Sequence, residues 1–305
     1  MRYFLHRLLF ALLLMVFFSS VHAAPPQAAD STWRWTFQAA AVHQFEADLD
    51  KGGDVSVNRY FASLSATRQL SSRLNMGLDI GYGEDSYDFS GSSGFGALDP
   101  WGQIRELRIS VPIRYFASRE WALFALPSLR YQAEQGASLD DGQTGGLIAG
   151  AIYRFSDTFS IGPGLGVFSE IEDDTSVFPI LLIDWKITDT LSLETGGGLA
   201  ASRGPGLQLT WQPTSQWRLA LGGRYEKIRF RLDDKGAAPG GIGEDEAIPL
   251  YALAEYSWSD DLKLSLIGGA EVGGNLRLED RSGNLISDTD MDTAPFVGLT
   301  FKGRF

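Results

Sequence analysis

Cysteine is absent from this 305-residue chain. Disulfide frameworks, thiolate zinc clusters, thiol nucleophiles and acylation on a cysteine are thereby excluded. Histidine is almost as scarce. The sequence has three, and His43 is the single one beyond residue 23. Metal sites built on two or more imidazoles are out of reach, so no cofactor is expected, and a Ser-His-acid triad would have to use His43. Positive charge is in deficit, with 26 Lys and Arg against 38 Asp and Glu. That balance argues against nucleic acid as a partner, because phosphate contacts need clustered cations. Beyond residue 23 no apolar run approaches the ~18 residues of a transmembrane helix, and helical spacing is not sustained anywhere.

What the chain does have begins with its leader. Arg2, His6 and Arg7 form a basic start, Leu8 to Phe18 is an unbroken apolar run, and Ser19-Ser20-Val21-His22-Ala23 supplies small residues before a cut after Ala23. Residues 1–23 are expected to be a secretory signal peptide, followed by a short lead at 24–31 and one domain at 32–305. Without the two leader arginines the chain keeps 24 cations against 38 acids, a net charge of −14.

The rest alternates. Leu107, Ile109, Val111, Ile113 and Tyr115 share one face against Arg108, Ser110, Pro112 and Arg114, and Trp121, Leu123, Ala125, Leu129 and Tyr131 do the same further on. A period of two is the mark of a strand. A repeat then organises these strands. Aromatic-x-x-[Ser/Thr]-x-x-[large apolar]-x-[Leu/Ile] recurs at Tyr115…Ser118…Trp121, Tyr153…Ser156…Phe159, Trp185…Thr188…Leu191, Trp211…Thr214…Trp217 and Tyr256…Ser259…Leu262. A sixth copy, Arg68…Ser71…Leu74, has Arg in the aromatic position. Each copy reads as a tight polar turn between two strands.

Seven mostly longer connections, near 47–54, 90–102, 136–143, 171–175, 203–205, 232–246 and 279–292, alternate with the six turns. That pattern implies an all-β, antiparallel up-and-down transmembrane barrel of about 14 strands, with both termini on the short-turn, periplasmic side. Tyr115, Trp121, Tyr153, Phe159, Trp185, Trp211, Trp217 and Tyr256 fall beside the short turns on the apolar face, where an aromatic girdle meets a bilayer interface. A soluble sandwich would not require one girdle repeated at every second turn. Pro112, Pro127, Pro163, Pro179 and Pro249 fall inside expected strands, where each removes a ladder donor.

At the C-terminus Val297, Leu299, Phe301, Gly303 and Phe305 alternate with Gly298, Thr300, Lys302 and Arg304 to the last residue. In this strand, and in its architecture from about Trp33 onward, the chain resembles the outer-membrane β-barrel proteins of Gram-negative bacteria. The resemblance implies that Phe301 and Phe305 form an assembly signal read by the barrel assembly machinery. It also implies periplasmic chaperones during biogenesis, and outer-membrane lipid and lipopolysaccharide as surroundings. It fixes no oligomeric state.

If the apolar face meets lipid, the other face lines a lumen. Arg59, Asp79, Arg108, Arg114, Arg130, Glu134, Arg154, Asp184, Glu194, Arg224 and Glu255 are the candidate lumen charges, joined by Arg218, Lys263, Glu271, Lys302 and Arg304. Gly77, Gly81, Gly162, Gly164, Gly166 and Gly222 occupy other inward positions, which suits a water-filled path. Paired Arg and Glu could equally close the path by internal salt bridges. The leading functional expectation is a passive pore for small hydrophilic solutes. The alternative is a non-conducting structural or surface-interaction barrel presenting loops 90–102, 232–246 and 279–292. A lipid-modifying enzyme is a remote third, because alternation points His43 at lipid. Gly162-Pro163-Gly164-Leu165-Gly166 has no phosphate-binding Lys after it and reads as strand. Asp288-Thr289-Asp290-Met291-Asp292 lacks the Gly and terminal Glu of a calcium loop and reads as solvated charge.

Overall fold

A computed structural model describes residues 32–195 and 206–305. The expected signal peptide at 1–23, the expected lead at 24–31 and the Arg203-Gly204-Pro205 connection lie outside the described residues. Fourteen strands run up and down: β1 (Arg34–Asp48), β2 (Asp54–Gln69), β3 (Leu74–Ser90), β4 (Gln103–Ser110, resuming at Ile113–Phe116), β5 (Trp121–Glu134), β6 (Gln143–Arg154), β7 (Phe159–Glu170), β8 (Asp173–Lys186), β9 (Leu191–Glu194), β10 (Gly206–Trp211), β11 (Trp217–Arg224, resuming at Glu226–Arg231), β12 (Ile242–Ser257), β13 (Leu262–Glu279) and β14 (Leu285–Met291, resuming at Ala294–Arg304). Each pairs antiparallel with its sequence neighbours. The ladder closes where β1 meets β14, from Thr36 opposite Arg304 to Gln44 opposite Phe296. A closed ladder is what a sheet in hydrocarbon requires.

The short turns explain the repeat. In four of them the hydroxyl accepts from the N–H groups two and three residues on: Ser71 from Arg73 and Leu74 at 3.3 and 3.1 Å, Ser118 from Glu120 and Trp121 at 3.1 and 3.0 Å, Thr188 from Thr190 and Leu191 at 3.3 and 3.0 Å, and Thr214 from Gln216 and Trp217 at 3.3 and 3.0 Å. Ser156 and Ser259 make the first of these bonds. A side-chain oxygen thus satisfies amides that a tight turn would leave open.

Two of the in-strand prolines interrupt the ladder locally. β4 breaks at Val111-Pro112, and the Pro112 carbonyl is kept in use by Gly77 N–H at 2.9 Å. Opposite Pro163 the β6–β7 ladder skips Ala151 and Ile152, as expected where a residue has no N–H to give. Pro179 stays in register opposite Leu165. The β12–β13 register shifts between Glu246 and Ile248. The extra residue lies at Gly273, whose φ of +63° is a left-handed value that glycine adopts without strain.

The outer face is apolar along its length. On β3, Met76, Leu78, Ile80 and Tyr82 are all exposed at 40% or more, while Gly77, Asp79 and Gly81 between them face inward. Soluble monomers rarely expose such a surface, and in a bilayer it needs no further cover.

Three connections differ from the sequence expectation. Residues 171–175 reduce to a two-residue turn, Ile171-Glu172, between β7 and β8. Residues 232–246 and 279–292 are not wholly loop, because Ile242–Glu246 and Leu285–Met291 continue as strand. Both faces of Glu226–Arg231 are covered, so alternation fades there and a sequence pattern reads loop.

Candidate functional site: a lumen closed at its long-loop end

The distal half of β11 turns out of the wall and forms a hairpin with the start of β12, which itself stays laddered to Asn275–Glu279 of β13. Glu226–Arg231 pairs with Ile242–Ala247, and the hairpin crosses the long-loop mouth. Its far end meets the opposite side of the barrel, where Arg231 bridges Ala133 of β5. Ile228 and Phe230 enter a buried apolar cluster with Ala47, Leu49, Val55, Val57, Tyr87 and Ile104 of β1–β4 and Leu276, Leu278, Met291 and Ala294 of β13–β14. The β3–β4 connection turns inward as well. A single helical turn, α1 (Gly94–Leu98), seats Phe95 in the cluster beside Trp101, both almost fully buried. The Trp101 ring lies 5.3 Å from Phe230, 5.4 Å from Phe89, 5.8 Å from Phe95 and 5.9 Å from Tyr87. The segments expected to be presented outside, 90–102 and 232–246, are in good part a cap. Their exposure is corrected by this burial.

Two arginines of the hairpin tie it to the rim. Arg229 donates to Glu244 at 2.9 Å, to Glu279 at 2.5 Å and to the Ile171 carbonyl at 2.8 Å. Arg231 donates to Glu172 at 2.8 Å, to the Gly240 carbonyl at 3.0 Å and to the Asp141 carbonyl at 3.2 Å. Glu134 holds both inserted connections, accepting from Gly102 N–H at 2.8 Å and Asp233 N–H at 3.0 Å. Glu134 therefore acts at the cap and not along the lumen wall.

Below the cap the lumen has a charged side and an apolar side. Arg59 reaches Gln44 at 2.7 Å, Glu271 at 3.1 Å and Asp245 at 3.1 Å, and Asp245 also takes the Tyr87 hydroxyl at 2.6 Å. Arg108 pairs with Asp79 at 3.7 Å and lies 5.1 Å over the Phe61 ring. Arg130 lies 5.0 Å over Phe168. Arg224 pairs with Glu226. Nearer the short-turn end, Glu194 takes Arg218, Gln208 and Thr210, and Asp184 faces Glu194 across the ladder. Glu255 takes Lys263 at 3.3 Å, Arg154 turns to Asp157 of its own turn at 3.3 Å, and Arg114 stands opposite Phe124. The apolar side is a buried patch on β5–β8 made of Ala122, Phe124, Ile148, Ile152, Ile180 and Leu182.

The inward glycines do not leave open space. A Cβ added at Gly166 would stand 2.0 Å from the Phe178 ring, at Gly146 2.0 Å from Phe168, at Gly150 2.7 Å from Phe124 and at Gly222 2.5 Å from Tyr251. Rings lie flat on the wall over bare backbone, a known remedy for glycine in sheets. A cavity of about 50 Å³ lies beside Arg59, Phe61, Arg224, Tyr251, Glu271 and Phe296. At ~10–15 Å³ per water, that holds a few waters and no solute.

On the outside, the rings of Trp121 and Tyr153 meet tilted at 5.0 Å, and those of Trp217 and Tyr256 at 5.1 Å and Phe159 and Trp185 at 6.0 Å meet edge-on. Tyr115 and Trp211 are exposed on the same face. The belt is one row deeper than the repeat suggested. Phe155 fits 4.6 Å from Tyr153, and Trp258 fits 5.4 Å from Tyr256. The residue just before each turn hydroxyl was the sign of this row, since Leu70, Phe155, Ile187 and Trp258 are all apolar and exposed. Phe301 meets Phe37 at 6.2 Å, and Phe305 closes the ladder with Trp35 through bonds of 3.1 and 2.9 Å. His43 bonds Asn58 at 2.9 Å and sits edge-on to Phe45 at 4.7 Å. In the short turns, the Asp189 carboxyl is held below its usual range by its bond from Lys186.

These features define a closed transmembrane-type β-barrel, and solved structures bear out the class. An outer membrane channel from Pseudomonas putida F1 is 12% identical with a TM-score of 0.51, covering 95% of this chain and 100% of that one. A Pseudomonas aeruginosa FadL homologue is 10% identical with a TM-score of 0.50, covering 96% and 98%. The chain has the fold of outer-membrane β-barrel channels. No family model matches the sequence, and no curated protein is similar to it.

Proposed function

We propose that the protein is a passive outer-membrane channel for small solutes, closed at its outer mouth by the inserted hairpin and opened when that hairpin withdraws. The termini and short turns then face the periplasm, the long connections face outside, and residues 1–23 direct export. The carrying observation is the hairpin itself. About eight strands fill a barrel with wall side chains alone. Fourteen leave more room, and here a connection supplies the closure. A segment tied by Arg229 and Arg231 to loop carbonyls and rim carboxylates can swing from the mouth on its ladder with Asn275–Glu279 of β13, leaving the wall below Ile248 paired. The charged side of the lumen suits hydrophilic solutes, and the β5–β8 patch extends the class to those that also carry a short apolar body. The likeness to a protein described as an outer membrane channel supports the reading.

The buried cap also favours a second reading, a barrel that does not conduct. Planar-bilayer recording separates the two. The channel reading expects brief openings from the refolded protein and sustained ones from a variant lacking residues 232–241. Silence from both would overturn it.

A further inference from the structure

The cations of the lumen are not spread evenly. Towards the cap, Arg59, Arg108, Arg224, Lys227, Arg229 and Arg231 each have a carboxylate within 4 Å. At the short-turn end, Lys302 and Arg304 have none among the described residues. Lys302 stands directly opposite Lys263 in the β13–β14 ladder and opposite Gln38 in the β1–β14 ladder. Its face is the inward one, shared with Ser265 and Ile267 on β13 and with Ala40 and Val42 on β1. The charges that bear most on Lys302 are Arg304, Lys263, Glu255 and Arg218, three cations and one carboxylate. Glu255 is already engaged by Lys263, and Arg218 by Glu194.

Like charges placed directly opposite one another across a ladder cost stability, and the cost grows where the wall excludes water. Lys302 is only partly exposed. Gln38 adds a neutral hydrogen-bonding side chain beside it. Four cations converge on one stretch of inner wall, two of them lacking a carboxylate partner among the described residues. A concave, low-dielectric surface of one sign concentrates ions of the other sign.

We propose that the short-turn vestibule is a binding site for small anions bearing carboxylate or phosphate groups, held between Lys302, Lys263 and Arg304 with Arg218 behind them. The site names a solute class for the channel reading and takes its direction of transport from that reading, but its occupancy does not depend on conduction. The anion supplies the charge that the wall lacks. Two or more ionic oxygens bridge the facing lysines, which a monovalent halide cannot do as well.

The test is titration calorimetry of the refolded full barrel in non-ionic detergent, with citrate and inorganic phosphate as probes at constant chloride. Saturable binding of at least one probe is expected, and a preference between the two identifies which oxyanion the site takes. Replacing one charged contact should weaken binding about tenfold or more. Lys302→Gln and Lys263→Gln are expected to do so, with Lys302→Arg restoring most of the affinity, while a heat-dependent shift in gel mobility confirms that each variant is a folded barrel. No saturable binding to the wild type, or equal binding to folded Lys302→Gln, overturns the site. In the variant lacking residues 232–241, reversal potentials should favour anions and shift towards cations on Lys302→Gln. Binding without conductance would sustain the site and fail the channel. Conductance without binding, and without that shift, would sustain the channel and fail the site.

Discussion

The ring of Phe230 lies 5.3 Å from that of Trp101, although Phe230 belongs to the distal half of β11 and Trp101 to the connection after β3. Their contact is where two inserted connections meet, at the centre of the cap. Removing the Phe230 ring should cost about 3–5 kcal/mol, the usual range for a fully buried phenylalanine. Urea unfolding of folded Phe230→Ala, followed by tryptophan fluorescence, checks this. A cost below ~1 kcal/mol would mean that the cluster does not hold the cap.

The glycine-ring contacts make a second prediction. A methyl group at Gly166 would stand 2.0 Å from Phe178, so Gly166→Ala should destabilise by about 1–3 kcal/mol through overpacking. In a Phe178→Ala background the same change should cost almost nothing. The double-mutant cycle measures the coupling directly, and additive costs would refute the contact.

Strand number, closure and girdle were legible because period-two alternation and the Ser/Thr turn repeat are local features. Ser118 and Thr188 show why. The same hydroxyl that marks the repeat in sequence caps the turn in the structure. The cap was not legible, because Phe95, Trp101 and Phe230 sit in segments where both faces are buried or the backbone is irregular. Alternation fades in such segments, and glycine-rich, acidic stretches read as exposed loop. The lumen glycines misled for a related reason. A missing Cβ tells nothing about which neighbour's ring, here Phe178 or Tyr251, lies over the gap.

Arg229 is the electrostatic counterpart of Phe230. Its guanidinium neutralises Glu244 and Glu279, and all three side chains are at most 7% exposed. Arg229→Met leaves Glu244 to Lys227 at 3.2 Å and Glu279 to Arg277 at 3.1 Å, so the expected loss is below the ~3–5 kcal/mol of an uncompensated buried charge, about 1–3 kcal/mol in the same unfolding measurement. Arg229→Met combined with Glu279→Gln should recover part of that loss. A neutral single variant would contradict the tie.

The loop between β13 and β14 carries a pH-dependent element of its own. Asp280 accepts from Ser282 N–H, Asn284 N–H and the Asn284 side-chain amide at 2.8, 2.9 and 2.9 Å, which holds its carboxyl below the usual range. The folded loop therefore gains stability above the unfolded value of ~3.9 and loses it as pH falls through the lower folded value. Followed through the Asn284 amide resonance, the transition should have its midpoint below ~3.9 and disappear in Asp280→Asn. A midpoint at or above the ordinary value would refute it.

The absence of cysteine permits a direct test of the central claim, that the hairpin is the gate. Arg231 and Ala133 are bridge partners across the mouth, close enough for a disulfide if both are replaced by cysteine. In planar bilayers, Arg231→Cys/Ala133→Cys should be silent when oxidised and should conduct when a reductant opens the bond. Equal conductance in both states, or silence in both, would contradict the account.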